Sequence, residues 1–329
     1  MTTLTPPPAP PEGTASGPAP DPAELDPAEL DPAELDPPEL DPGELGPGEA
    51  RRIAALALAE DLAGGVDVTT VATVPDGATG TADLVARAGG VVAGLPVAAA
   101  VFEDVLSAAG GDPASWSVRT LVADGSSVRP GTVLMTVTGP VRAILTGERS
   151  ALNVLCRLSG VATATRAWVD ALAGTGATVR DTRKTTPGLR AAEKYAVRCG
   201  GGLNHRMGLS DQALVKDNHV VAAGGVVPAR RAGRARFPDL FCEVECDTLD
   251  QVREAVAEGA ALVLLDNMDL ATMREAVAVA HAGGARTEAS GRLTLARARE
   301  VAATGVDHLA VGALTHSAPA LDIGLDLRA

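Results

Sequence analysis

Aromatic side chains are almost absent from this chain: three Phe, two Trp and one Tyr, 2% of 329 residues. A core without them must be assembled from Ala, Val, Leu and Ile, and the 46% hydrophobic content supplies enough of these for one large or two ordinary domains. Cysteine is equally scarce. Cys156, Cys199, Cys242 and Cys246 form no C-x-x-C pair, and a body of this size needs no disulfide staples, so they read as reduced core thiols. No apolar run reaches the roughly 18 residues of a membrane span. The N-terminus shows no basic segment followed by an apolar one, so no secretory leader is expected and the cytoplasm is the expected location. The five histidines have no metal-ligand spacing with the cysteines, which argues against zinc.

Positive charge is missing from the first fifty residues, which hold 12 of the 42 acidic groups. Although the formal net charge is -14, the remainder carries 30 acidic against 28 basic residues and is nearly neutral. No overall basic field invites nucleic acid. Residues 1–48 also carry 14 of the 23 prolines and a repeat, Asp-Pro-Ala-Glu-Leu, starting at Asp21, Asp26 and Asp31. Proline blocks helix and sheet, and the like charges repel. The expectation is a disordered acidic tail; a docking role for Leu25, Leu30, Leu35 and Leu40 is the alternative.

From residue 49 the pattern becomes globular. Ala50–Ala63 and Gly94–Leu106 read as helices, Asp67-Val-Thr-Thr as a turn, and Thr81–Arg87, Ser117–Val122 and Val133–Val137 as strands. Two helices, Val141–Leu158 and Val161–Leu172, follow. Then short apolar runs ending in polar residues alternate with helical stretches: Ala177–Val179, Ala213–Val215, Phe241–Val244, Ala261–Leu265, Thr287–Ala289 and Leu309–Val311. That rhythm fits consecutive βα units. The fold class is therefore α/β: a small N-terminal α/β sandwich domain (49–158, joined by a returning C-terminal segment, 319–329) beside an incomplete, open parallel β/α barrel (159–318).

In a β/α barrel the C-terminal strand ends share one rim, and the active site sits there. This rim would gather Arg183, Lys184, His205, Arg206 and Lys216 as cationic groups, Glu245 and Asp266 as carboxylates, and Ser290, Gly291 and Gly312 as small residues. Arginine forks match carboxylate and phosphate oxygens. Small residues at late barrel strands commonly hold phosphate. Two carboxylates beside phosphate oxygens suit Mg²⁺. These residues alone point to a Mg²⁺-assisted enzyme of a phosphorylated ligand and a second anion, and leave the reaction open.

The stretches Asp181-Thr-Arg-Lys-Thr-Thr-Pro-Gly-Leu-Arg190, Glu193-Lys-Tyr-Ala-Val-Arg-Cys-Gly-Gly-Gly202, Asn204-His-Arg-Met-Gly208 and Lys216-Asp-Asn-His219 closely resemble quinolinate phosphoribosyltransferases, also called carboxylating nicotinate-nucleotide pyrophosphorylases. Glu60-Asp61, Asp67-Val-Thr-Thr70, Gly147-Glu-Arg-Ser-Ala-Leu-Asn153 and Gly312-Ala-Leu-Thr-His316 extend the resemblance from about residue 50 to the end. It implies a pentosyl-transferring glycosyltransferase that joins quinolinate to phosphoribosyl pyrophosphate, releasing CO2 and pyrophosphate. It further implies that Arg149, Thr182, Arg183, Lys184, His205, Arg206 and Lys216 surround quinolinate. Lys184, Glu245, Asp266, Ser290, Gly291, Arg292, Gly312 and Ala313 would take the phosphoribosyl pyrophosphate, with Lys184, Glu245 and Asp266 catalytic and the two carboxylates facing Mg²⁺. Arg149 would come from a neighbouring subunit of a homodimer, with a hexamer as a larger assembly. At position 292 the family has Gly or Asn, and this chain has Arg. Rival readings are a same-scaffold relative acting on another anion, a Schiff-base aldolase using Lys184 or Lys216, and an interaction protein built on the acidic tail. His219 and His308 read as structural, and Glu193 and Lys194 as an ion pair with each other.

Overall fold

A computed structural model describes residues 45–328, apart from 64 and 111. The tail reading and its four spaced leucines lie outside the described residues up to Glu44. The N-terminal region comprises α1 (Pro47–Asp61), α2 (Val68–Thr73), β1 (Thr79–Ala86), β2 (Gly90–Val91), α3 (Leu95–Ala108), β3 (Ser117–Thr120), β4 (Ser127–Val128), β5 (Val133–Pro140) and α4 (Val141–Leu172). Helix α1 starts on a proline, which sits without cost at a helix's first turn, and buries Ala50, Ile53, Ala54 and Leu58 on one stripe. The expected turn at Asp67 is instead the cap of a short helix. Its carboxylate accepts from Thr70 N at 2.9 Å, satisfying an N–H that the helix start would otherwise orphan.

The last strand, β12 (Ile323–Arg328), returns to pair antiparallel with β1, giving a four-stranded sheet in the order β12-β1-β5-β3. Leu84, Leu134 and Met135 of this sheet pack with Phe102, Leu106, Ile144 and Leu155 of α3 and α4, all fully buried.

Where two helices were expected, α4 is one helix of 32 residues. The gap between the two expected helices falls at Ser159 and Gly160. A helical glycine costs about 1 kcal/mol against alanine, but it does not stop the helix. Here it permits a close crossing: a Cβ at this position would lie 2.1 Å from Pro319 O, so the C-terminal segment crosses directly over the glycine. Alongside, Leu321 N donates to Cys156 O at 2.9 Å. The helix therefore runs unbroken across the 158/159 boundary, from the antiparallel sheet to the barrel.

The barrel strands are β6 (Thr178–Arg180), β7 (Ala213–Val215), β8 (Cys242–Cys246), β9 (Leu262–Asp266), β10 (Arg286–Ser290) and β11 (His308–Ala310). Between them lie α5 (Arg190–Cys199), α6 (Asp217–Ala223), α7 (Val226–Arg236), α8 (Leu249–Ala257), α9 (Leu270–Ala282) and α10 (Ala298–Ala302), with α11 (Ala313–His316) after β11. All six strands are parallel, in the order β6-β11-β10-β9-β8-β7. A bridge from Arg180 to Leu203 extends the sheet past β6. Among the described residues no ladder joins Leu203 to β7, so the barrel stays open there. Capping fixes the helix starts: Thr248 and Gln251 form a reciprocal box on α8, and Asp269 accepts from Ala271 N and Thr272 N on α9. No helix among the described residues is long and apolar enough to cross a membrane.

Candidate functional site

Parallel strands buried on both faces are usually continuous apolar runs. Strand β9 obeys this until Asp266, but β8 (Cys-Glu-Val-Glu-Cys) and β10 (Arg-Thr-Glu-Ala-Ser) do not. Their alternation sends Glu243, Glu245 and Glu288 to one face. Glu245 aligns with Leu264, which aligns with Glu288, and Asp266 aligns with Ser290. Glu245 and Asp266 thus share the barrel-interior face at adjacent strand ends.

The loop leaving β6 is anchored before it reaches the rim. Asp181 is buried and accepts from Lys194 Nζ, from Asn204 Nδ2 at 2.5 Å and from His205 N at 2.9 Å. Lys194 Nζ also donates to His205 O at 2.8 Å. Glu193, expected to pair with Lys194, turns the other way and binds Arg157 at 2.9 Å. Adjacent residues on a helix diverge by about 100°, which is why this pair does not form.

His205 is 5% exposed, and both ring nitrogens are used internally. Nδ1 accepts from Arg206 N at 2.7 Å, so Nε2 carries the proton and donates to Glu243 Oε2 at 2.9 Å. Burial holds its pKa down at about 4, which matches a neutral ring. The resemblance set His205 against quinolinate's carboxylates. In the structure its Nδ1 accepts from the backbone N–H of Arg206. Glu243, wholly buried, also accepts from Gln212 Nε2 at 3.1 Å, and burial pushes its pKa up to about 7. Glu288 is paired with Arg180 at 2.6 Å.

Above this network stand Arg183 and Arg206. Arg206 donates to Gln212 O at 3.0 Å. Its pKa is lowered first by burial and then by the neighbouring Arg183 guanidinium. Arg183 Nε is buried with no hydrogen-bond partner. Two guanidiniums that repel each other, one with an unpartnered buried donor, concentrate positive charge at this part of the rim.

Around them lie the other rim groups. Lys216 Nζ is ion-paired with Glu245. Asp266 accepts from Asn267 Nδ2 at 2.5 Å. Lys184 lies against Gly312: a Cβ there would be 3.0 Å from Lys184 Cδ and 3.2 Å from His316 Nε2. Thr182 Oγ1 accepts from Lys184 N at 3.0 Å, and Ala313 opens α11. Gly291 has φ +91°, and Asn267 Oδ1 stands 2.4 Å from where a Cβ would be, so only glycine fits. Arg292 has φ +50°, a left-handed conformation costing a non-glycine residue about 1–2 kcal/mol. That explains the family's Gly or Asn at this position, and the Arg292 side chain is exposed. A cavity of about 330 Å³ opens beside Ser290, Gly291 and Arg292, with Met268 and Met273 in its wall.

Arg149 stands apart. It is exposed on α4, two turns before Arg157, and forms none of the ion pairs among the described residues. His219 Nδ1 accepts from Lys216 N at 2.9 Å at the start of α6, and His308 Nδ1 is 2.8 Å from Thr178 Oγ1, both packing roles. Sequence reasoning missed Arg157, Arg180, Gln212 and Glu243. Only Glu243 left a signal, standing two residues before Glu245 on the same strand face.

A parallel β/α barrel whose rim sets two neighbouring guanidiniums beside two carboxylates and a glycine turn is a scaffold suited to small polyanions. The quinolinate phosphoribosyl transferase family models match here, the N-terminal domain over residues 67–159 and the C-terminal domain over residues 161–326. The carboxylating nicotinate-nucleotide pyrophosphorylase of Mycobacterium leprae is 51% identical over 280 residues, covering 84% of this chain and 97% of that protein. A probable counterpart from Bacillus subtilis is 41% identical over 249 residues, covering 75% and 83%. The solved nicotinate-nucleotide pyrophosphorylase of Francisella tularensis superposes with a TM-score of 0.81 at 34% identity, covering 87% of this chain and 99% of that one. The chain belongs to the quinolinate phosphoribosyl transferase family. It is a phosphoribosyl-transferring enzyme.

Proposed function

We propose that the rim joins quinolinate to the phosphoribosyl group of phosphoribosyl pyrophosphate, giving nicotinate mononucleotide, pyrophosphate and CO2 for NAD biosynthesis. The observation that carries the site assignment is the Arg183–Arg206 pair, two adjacent guanidiniums with an orphaned buried donor. A dicarboxylate answers both charges at once. Thr182, Lys184 and Lys216 complete its surroundings, and His205 holds Arg206 in place from below.

The second substrate spans the rest of the rim. Its 5′-phosphate is assigned to the backbone of Ser290, Gly291, Arg292, Gly312 and Ala313, its ribose hydroxyls to Glu245 and Asp266, and its pyrophosphate to Lys184. As the anomeric C–O bond breaks, Lys184 stabilises the departing pyrophosphate, and preorganised charge of this kind is usually the largest catalytic contribution. The ring nitrogen of quinolinate, held in line by the arginines, forms the new C–N bond. The neighbouring carboxylate then leaves as CO2. Its electron pair stays on the ring carbon beside the cationic nitrogen and takes up a proton.

Glu245 and Asp266 fit a hard cation. Both are oxygen donors on one barrel face, and each has one oxygen engaged, by Lys216 and Asn267. Mg²⁺, when bound, supplies charge neutralisation for the pyrophosphate. A homodimer with shared sites accounts for Arg149, with a hexamer as a higher assembly. Val66, Val68 and Val71, all exposed, flank the turn of α4 that carries Arg149, where Thr146 contacts Asp67. The cytoplasm is the proposed location, since phosphorylated substrates do not cross membranes unaided. Against a Schiff-base aldolase, Lys216 Nζ is committed to Glu245.

Steady-state assay with quinolinate, phosphoribosyl pyrophosphate and Mg²⁺ tests the reading. Nicotinate mononucleotide should form and should stop on chelation of the metal. A folded sample forming none would overturn it.

A further inference from the structure

The loop from Asp181 to Gly188 carries Arg183 and Lys184 with no strand or helix of its own. Two side chains on the first turn of α5 hold it. Arg190 Nε donates to Thr185 Oγ1 at 3.0 Å, and Nη1 of the same guanidinium donates to Met207 O at 3.0 Å, next to Arg206. One turn on, Glu193 is fully buried. It accepts from Thr186 N at 2.9 Å and Thr186 Oγ1 at 2.7 Å, and from Arg157 Nε at 3.2 Å and Nη2 at 2.9 Å. Arg157 in turn donates to Ala318 O at 2.9 Å and to Thr315 O. Thr315 Oγ1 closes the circuit by donating to Lys184 O at 3.0 Å.

We infer that Arg190 and Glu193 are positioning residues with separable tasks: Arg190 ties the Arg183 loop to the Arg206 loop, and Glu193, through Arg157, ties it to the 312–318 loop. Neither is one of the groups assigned above to substrate. Each bridges two rim segments that the barrel strands alone leave unconnected, and loops that carry function need such fixing. The Arg190 bridge sets the spacing of the two guanidiniums that grip the dicarboxylate. The Glu193–Arg157 bridge sets the spacing of Lys184 and Gly312, which face the phosphorylated substrate. A displacement near 1 Å in such a site is enough to cost activity.

The inference rests on the reading under Proposed function, so the wild-type assay is the first arm. Without turnover by the wild type, that reading falls and takes this inference with it. Given turnover, Arg190→Met, which removes both bonds of the bridge, is expected to raise KM for quinolinate about tenfold through displacement of the two guanidiniums, and KM for phosphoribosyl pyrophosphate less than about twofold. Glu193→Gln is expected to do the reverse. Thr185→Val removes the loop's bond to Arg190, and Thr186→Val removes one of the loop's two bonds to Glu193 while its N–H bond stays; each should move the same constant as its partner variant, by about threefold. The overturning results are both constants rising together in the Arg190 and Glu193 variants, in step with a fall in melting temperature, or both threonine variants matching wild type.

Discussion

Replacing Arg183 by Met should make the empty protein more stable while ruining its grip on the dicarboxylate. The guanidinium has a buried Nε with no partner and stands beside Arg206, whose pKa it helps to lower. Methionine keeps the apolar stem and removes both liabilities. The unsatisfied donor and the partly screened repulsion together amount to about 1 kcal/mol. For a body of this size that is a rise of about 2 °C in melting temperature. Binding moves the other way. Losing one partner of a desolvated charge pair costs about 2–5 kcal/mol, or roughly 30-fold to several thousand-fold in affinity. At a quinolinate concentration 100 times the wild-type Kd, the ligand should stabilise the wild type by about 2.7 kcal/mol, a shift of about 5 °C. The variant at the same concentration should gain about 2 °C or less. Thermal melts with and without quinolinate read all four values. A variant that melts below wild type without ligand, or one that keeps the full ligand-induced shift, refutes the reasoning.

Gly160→Ala adds a methyl that meets Pro319 O at 2.1 Å and Ala320 Cα at 2.9 Å, both backbone. The helix-propensity gain of about 1 kcal/mol is outweighed by displacement of the crossing segment, so urea melts should show a net loss of about 2 kcal/mol or more; a neutral result contradicts the crossing. Glu243→Gln tests the buried carboxyl. The unfolded group releases its proton near 4.5 and the folded one near 7, so the native state holds the extra proton in between and the wild type loses stability as pH rises through that window. Relative to wild type the Gln variant should therefore gain up to roughly 3 kcal/mol between pH 4.5 and 7.5 in denaturant titrations, and the opposite slope sinks the assignment. Mixing Arg149→Ala with Lys216→Ala protein, each inactive alone, should restore part of the activity once subunits exchange. No recovery after proven exchange means that each site is built from one chain.

How far these features were legible differs by residue. Ala213–Val215 was found to the residue, because a short apolar run ending in Lys-Asp-Asn-His leaves little choice of boundary. The other barrel strands fell within a residue or two for the same reason, and their polar ends located the rim. The expected break between Leu158 and Val161 did not form, because Gly160 there serves a close backbone crossing and leaves the helix intact. Asp67 misled because a cap and a turn use the same side-chain chemistry. The buried charges were the least visible. Arg157, Arg180 and Glu243 are polar letters that hydropathy sends to the surface, and each is buried or half-buried only because a partner distant in the chain meets it. Lys194 is 1% exposed through a contact with Asp181 that no local pattern announces.

The most direct test of the central claim is to offer quinolinate and nicotinate separately with phosphoribosyl pyrophosphate and Mg²⁺, counting nicotinate mononucleotide and CO2 together. A pocket built on the paired guanidiniums of Arg183 and Arg206 should turn over quinolinate with one CO2 per nucleotide and leave the monocarboxylate essentially untouched. Equal use of nicotinate, or nucleotide formed without matching CO2, would contradict the dicarboxylate site.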